Sequence, residues 1–574
     1  MHDIRIHAVN VLVIGAGGAG LRAAIAASEA GCEVLVVGKR ARNDAHTVLA
    51  AGGINAVLGT RDPEDTWQQH FADTYKEGYG LGDPEMIEIL VREAPRAVTE
   101  LADWGAPFVR LPDGRLDQRY FGAHTYRRTC FAGDWTGRAM LQTLARRSEG
   151  IPLRERFYVT SLLVSDGVCF GAFGFDLDTG ERTAIYADAV VLATGGHTRL
   201  WRRSSSRRDE NTGDGMSLAL RAGCTLADME LVQFHPTGML TPEEAAGTLV
   251  TEAVRGEGGR LFNALGERFM ANYDRERMEL STRDRVALAC YTEIAAGRGG
   301  PHGGIFLDIS HLDKALILER LPRMYRQFLE YQLLDISRTP MEVAPTAHYS
   351  MGGVVVDPSS TATGVAGLFA AGEVTAGVHG ANRLGGNSLA ETAVFGRRAG
   401  ESAAAHARAS ESAARPRAVV ARAGEEVAEL IRSGAEFVRP MQRDLRDLMW
   451  ERCGVVRDED GLKHALIGIE ELTARVREAD VAPTSEGYDD LAHVLDLRGS
   501  LLVAEATVRG ALARRETRGA HNRSDHPALD PALTLQITVS VDGLATRPAP
   551  PLAPELARIV EMTPDHEVDG RLLE

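Results

Sequence analysis

Val9-Asn-Val-Leu-Val-Ile-Gly15-Ala-Gly-Gly-Ala-Gly20 is the stretch that decides the fold. Val9 to Ile14 is an apolar run of the kind buried on both faces of a parallel sheet. The glycines that follow stand in GxGxxG spacing. Leu21 to Gly31 reads LRAAIAASEAG, with alanine-rich helical spacing and a glycine stop. Glu33-Val-Leu-Val-Val37 is a second apolar strand. The order strand, glycine turn, helix, strand makes a βαβ unit. Its turn admits a pyrophosphate close to the backbone, and the helix N-terminus offers amide donors and a favourable dipole. Gly15, Gly17, Gly18 and Gly20 are therefore candidate cofactor-binding residues. A nicotinamide-binding unit ends its second strand in an acidic residue that holds the ribose. Gly38-Lys39 stands there instead. That argues against NAD and leaves FAD, whose ribose other segments can hold.

Two distant segments read as further strands of the same domain. Asp188 to Gly196 is apolar and ends in small residues, and Gly367 to Glu373 ends in an acidic one. The more polar region between them reads as an insertion. The fold class expected is an α/β FAD-binding, Rossmann-like domain with an inserted α+β capping domain, then a helical domain and a small C-terminal domain. The boundaries expected are 1–234 and 348–405 for the FAD-binding domain, 235–347 for the cap, 406–515 for the helical domain and 516–574 for the C-terminal one. Met441, Leu445, Leu448 and Met449 lie at helical spacing and read as a packing face. In the tail, Leu533 to Val539 reads as a strand.

Composition narrows the function. Apolar residues make up 44% and charged residues 25%, an ordinary globular balance that rules out disorder for most of the chain. Lys and Arg number 64 against 80 Asp and Glu, a net charge of −16, the opposite of a nucleic-acid binder. The chain has no apolar run of about 18 residues, so no membrane span is expected. The N-terminus reads as no secretory signal, because a strand and glycine turn follow at once. The six cysteines are scattered without CxxC spacing, so no zinc, iron–sulfur or haem site is expected, and they read as thiols in a reducing compartment.

A set of motifs then becomes specific: His46-Thr47 ahead of Gly52-Gly53, Asn211-Thr-Gly-Asp214-Gly and His235-Pro-Thr-Gly238. Thr251-Glu252-Ala-Val-Arg255, Thr282-Arg283-Asp284 and Pro345-Thr-Ala-His348-Tyr349 follow. His379-Gly-Ala-Asn-Arg383-Leu-Gly-Gly-Asn387-Ser388-Leu389 and Glu516-Thr-Arg-Gly-Ala-His521 complete it. In this order, from about residue 9 to 527, the chain resembles the flavoprotein subunits of succinate dehydrogenase and fumarate reductase, within the wider family that includes L-aspartate oxidase. The resemblance implies an electron-transport enzyme of the tricarboxylic acid cycle that interconverts succinate and fumarate by hydride transfer to and from FAD. It implies FAD contacts at Lys39, His46, Thr47, Gly52, Gly53, Thr194, Gly195, Asp214, Glu373, Arg383, Asn387, Ser388 and Leu389, and no metal. It further implies an iron–sulfur partner subunit, passage of electrons to quinone, and peripheral attachment through that partner to a membrane anchor on the cytoplasmic side.

Residue chemistry agrees with a dicarboxylate. Two negative charges need donors at both ends, matched to carboxylate geometry. Arg383 with His348 suits one carboxylate, and His235 with Thr251 the other. By resemblance Arg283 carries the proton, with Glu252 and Arg255 as relay. Glu252 and Arg255 share a face if their segment is helical. His2, His7, His70, His302, His311 and His493 read as structural or solvent-facing. In succinate dehydrogenases the residue matching His46 is bonded to the flavin 8α carbon, and L-aspartate oxidases lack it. Asp44-Ala45 precedes His46 where Arg-Ser is usual, and Ala51 stands where Gln or Glu is usual before the glycine pair. Two rival readings are a soluble L-aspartate oxidase and a non-catalytic flavin-bearing interaction subunit. His46 opposes the first, and the intact set His235, Arg283, His348 and Arg383 opposes the second.

Overall fold

The computed structural model describes residues 4–410, 413–483 and 487–563. His2 and the end of the 516–574 segment lie outside them. Strand β1 (Arg5–Ile14) pairs in parallel with β2 (Val34–Val37), Val11 opposite Val34 and Ile14 opposite Val37. Its other edge pairs in parallel with Arg182–Leu192, onto which Leu368–Ala370 adds. β1 starts four residues before the apolar run. Arg5 to Ala8 are exposed, and ladder bonds to the neighbouring strand hold them in place of side-chain burial. An antiparallel hairpin, Phe157–Ser165 with Val168–Asp176, widens the same sheet.

Helix α1 (Gly18–Glu29) lies on this sheet and against the helix Asn387–Ala409. Both approaches depend on missing side chains. A Cβ on Gly20 would sit 1.9 Å from the Gly15 oxygen, and one on Gly400 would sit 2.1 Å from the Ala23 oxygen. Asn387–Ala409 runs unbroken through the boundary drawn at 405, because alanines continue the helical pattern to Ser410.

A second, four-stranded antiparallel sheet has the order Val232–Met239, Met341–Ser350, Ile305–Asp308, Arg260–Phe262. It carries its own core, including Leu261, Phe269, Val286, Ile305 and Phe328. The first two strands each cross a boundary drawn from the sequence, at 234/235 and 347/348, so side chains from the inserted unit reach into the dinucleotide domain. Beyond residue 437, the helices Val438–Arg452, Glu459–Arg475 and Asp489–Ala513 pack together. Met441, Leu445 and Met449 are buried between them, with Leu448 half-buried alongside.

The C-terminal domain pairs with strands of the rest of the chain. Leu535–Ser540 pairs with Leu226–Ala227, and Asn522–Arg523 pairs with Val456–Arg457. The strand expected from Leu533 begins at Leu535, because Pro531 to Leu533 form a short 3-10 turn. A buried charge cluster fastens the segment. Arg514 bonds Glu230 at 2.7 Å, Asp228 at 3.2 Å and Glu516 at 3.2 Å, and Arg518 bonds Glu516 at 2.7 Å. Burial and Glu230 push the Asp228 carboxyl up to about 7. All six cysteines are free, and all but half-buried Cys32 are buried. Among the described residues no helix is long and apolar enough to cross a membrane.

Removing one partner of a buried charge cluster leaves the others uncompensated. Arg514→Leu is expected to lower stability by about 3–5 kcal/mol. Chemical denaturation followed by tryptophan fluorescence checks this. A midpoint shift no larger than that of Arg509→Leu, which breaks only an exposed helical pair with Glu505, contradicts it.

Candidate active site

The glycine turn at 15–20, the C-terminal ends of the parallel strands and the second sheet enclose one long cavity, ≈ 1770 Å³ including its open mouth. Gly15, Gly17, Gly18, Lys39, His46, Thr47, Gly52, Gly53, Thr194, Gly195, Asp214, Glu373, Ser388 and Leu389 line it. So do His235, Thr251, Glu252, Arg283, His348 and Arg383. At the turn, Thr47 Oγ1 accepts the Gly18 amide at 3.0 Å, and the N-cap residue, Gly17, has no side chain of its own to cap α1. Lys39 lies between Asp214 at 3.0 Å and Asp496 at 3.2 Å, and Tyr158 donates to Asp496 at 2.8 Å. Those two carboxylates hold the Lys39 ammonium charged despite burial.

At the far end, two buried guanidinium groups converge on one neutral oxygen. Gln233 Oε1 accepts from Arg283 at 3.1 Å and from Arg383 at 2.9 Å. Gln233 is itself oriented by donating to Asn382 Oδ1 at 2.7 Å and to the Arg383 carbonyl at 2.9 Å. Arg383 also donates to Ser388 at 3.3 Å and lies 4.4 Å over the Tyr349 ring. None of these partners is a carboxylate, and Arg383 Nε is buried without a partner. Burial and the nearby Arg283 charge bring Arg383 down to about 9. Arg283 differs, because Glu252 pairs with it at 2.5 Å. Burial opposes the Glu252 charge, but Arg283 and Arg255 hold its carboxyl far below the usual range.

His235 and His348 meet edge to face, ring centres 5.2 Å apart. Burial and the adjacent cationic groups keep both well below the ordinary imidazole pKa, so both are neutral. His348 Nδ1 lies 2.9 Å from Ser205 Oγ, and His235 Nε2 is buried without a partner. A bulge explains how His348 and its neighbour Tyr349 both line the cavity. Gln233 stands opposite Tyr349 and Phe234 opposite Ala347, so His348 is the extra residue. An inserted residue re-aims the chain, where a regular strand would send the two side chains to opposite faces.

The cavity fits a dinucleotide flavin. Its backbone walls are open where side chains are missing, and Thr194 Oγ1 is buried without a partner. Two family models match the chain: an FAD binding domain over residues 10–389 and a fumarate reductase flavoprotein C-terminal domain over 442–553. The chain belongs to the succinate dehydrogenase and fumarate reductase flavoprotein family. It is 45% identical to one chain of the fumarate reductase (CoM/CoB) of Methanothermobacter marburgensis, over 92% of this chain and 96% of that one. It is 38% identical to the fumarate reductase flavoprotein subunit of Escherichia coli, over 90% and 88%. Its fold matches the solved Mycobacterium smegmatis Sdh1 with TM-score 0.87 and 41% identity, over 96% and 95%. The flavoprotein is an FAD-dependent oxidoreductase of this family.

Three residues expected at the flavoprotein's site do not line the cavity. Gly20 serves the packing of α1 on the turn. Asn387 turns inward to Asn55 at 2.7 Å, His70 at 2.9 Å and Thr74 at 3.0 Å. Arg255 lies behind Glu252 at 3.8 Å and donates instead to the Glu279 carbonyl at 2.5 Å. Its segment is a single turn, Ala253–Gly256, capped at Glu252. Gln233, Tyr349, Ser205, Asp496 and Glu210 went unread in the sequence. Only Gln233 carried a signal there, two residues before His235 and so on the same strand face.

Gln233→Leu removes the shared acceptor and turns two guanidinium groups toward each other. The expected result is a fall in kcat/KM of about a hundredfold with FAD content unchanged. Steady-state kinetics with a dye acceptor checks it, and a change within threefold contradicts the bridging role.

Proposed function

We propose that this chain is the catalytic subunit that interconverts succinate and fumarate, with Arg383 and His348 holding one carboxylate and His235 and Thr251 the other. The observation that carries this is Arg383: a fully buried cation whose partners are all neutral. A buried charge without a counter-ion is costly, and a dicarboxylate supplies the missing one. Bound FAD supplies the hydride chemistry. The chain's own residues bind and orient the dicarboxylate and move the proton. Arg283 stands at the proton position, its Glu252 pair giving the proton a partner, with Arg255 at the rear of that relay.

Electrons then pass to a separate iron–sulfur subunit, and through it to quinone. The cysteines of this chain suit that division, because none stands in CxxC spacing and burial pushes Cys130, Cys169 and Cys290 up to about 12, away from the thiolate that ligates a cluster. The partner would hold the chain at the cytoplasmic face of a membrane. His46 would bond the flavin 8α carbon. The direct test is turnover of the purified protein. Succinate should reduce a dye, fumarate should oxidise a reduced dye, and aspartate should release no ammonia. Ammonia release without succinate turnover overturns the reading in favour of an aspartate oxidase.

Arg383→Ala should weaken malonate or fumarate binding by about several hundredfold while FAD stays bound. Isothermal titration reads it, and unchanged affinity removes Arg383 from the site. Arg283→Lys keeps a charge but loses the planar fork. Its kcat should fall by about a hundredfold or more with KM little changed. A kcat within a few-fold of wild type refutes the proton role.

A further inference from the structure

His46 opens the 3-10 turn His46–Leu49, next to Thr47, which binds the glycine turn. Its Nδ1 is buried without a hydrogen-bond partner, and its side chain keeps 25% of its surface on the cavity it lines. The carboxylate facing Nδ1 is Glu210, whose Oε2 stands 3.5 Å away. That is a loose contact, beyond ordinary hydrogen-bond length. Glu210 is itself rigidly held. Arg207 grips both its oxygens, with Nε to Oε2 at 2.9 Å, and Arg40 adds a third contact at 3.4 Å. Both arginines are tied back to Asp44. Arg207 reaches its carboxylate and its carbonyl at 2.6 Å each, and Arg40 reaches its carboxylate at 2.6 Å. Asp44 lies two residues before His46, so the chain Asp44–Arg207–Glu210–His46 closes on its own segment. Asp44 departs from the Arg usual in the family, and here it anchors both arginines that hold Glu210.

We propose that Glu210 is the positioning residue for His46: it holds the Nδ1 proton, leaves the Nε2 lone pair to the cavity, and accepts that proton as Nε2 bonds the flavin 8α carbon. The proposal rests on the covalent reading above. One C8α–H bond and the Nδ1–H bond break, and one Nε2–C8α bond forms. The two electrons released reduce a two-electron acceptor, here fumarate, which takes up the two protons and becomes succinate. The charges around the ring agree. Burial opposes both charged forms, yet His46 and Arg207 draw Glu210 down to about 2, and Glu210 and Glu373 raise His46. The same carboxylate favours imidazolium at low pH, so bonding should speed up as pH rises through the raised His46 pKa.

The test compares wild type, Glu210→Gln, Glu210→Ala and His46→Ser. Each is incubated with FAD and fumarate above the imidazole range, and flavin retained by acid-precipitated protein is followed in time. Total bound FAD should be equal in all four, and His46→Ser should retain none. Glu210→Gln should incorporate covalent flavin at least about tenfold more slowly, and acetate should partly rescue Glu210→Ala, which a merely structural role would not allow. Glu210→Gln within threefold of wild type overturns the proposal. Wild type that releases all its flavin overturns the covalent reading instead. In that case the 15N shifts of His46 decide the positioning role alone: Nδ1–H in wild type supports it, and Nε2–H refutes it.

Discussion

A cation buried among neutral partners is the constraint on which the site depends. Arg383 comes from the dinucleotide domain, whereas Gln233, His235, His348 and Tyr349 come from the two strands that cross into the inserted sheet. Neither unit can satisfy the guanidinium alone. Gln233 supplies one oxygen and Tyr349 a ring face, both neutral, so part of the electrostatic cost of burial stays uncompensated. His235 and His348 pack edge to face on the same cavity, so the proposed dicarboxylate would meet a cation and two imidazoles together. Arg283 carries the opposite arrangement. Its charge is matched by Glu252, which suits a group that exchanges a proton better than one that grips a carboxylate.

The other end of the cavity obeys a steric constraint. α1 can start at the sheet's edge only because residue 20 adds no Cβ, and the helix behind it can lie close only because residue 400 adds none. That packing presents the start of α1 to the cavity, where amides and dipole stabilise a pyrophosphate. Lys39, expected at the cofactor, also ties the second strand to Asp214 and Asp496, so it joins the cavity wall to the C-terminal helices.

Much of this was legible in the sequence. The apolar run, glycine turn and alanine-rich helix locate the dinucleotide unit because their periodicities differ sharply. The two arginines and two histidines stand out as donors in ordered motifs. Gln233 could have been read from its two-residue spacing to His235. Tyr349 could not, because only the bulge at His348 turns it to the cavity, and a bulge leaves no mark in side-chain alternation. Asp496 and Glu210 were beyond reach for a different reason. Asp496 lies on a helix whose polar face does not say which carboxylate will be buried, and its partners Lys39 and Tyr158 are distant in the chain. Glu210 lies in a loop, where pairing with nearby Arg207 gives no sign of the distant His46 it also faces. Arg255 stands behind Glu252 at 3.8 Å, because i,i+3 spacing places two residues on one face without saying which of them reaches the cavity.

The most direct measurement of the central claim is a crystal structure of the FAD-bound protein with malonate. One carboxylate should lie on Arg383 and His348 and the other on His235 and Thr251, with Arg383 Nε no longer unpartnered. Malonate bound away from Arg383, or an Arg383 that keeps only its neutral partners in the complex, would contradict the account.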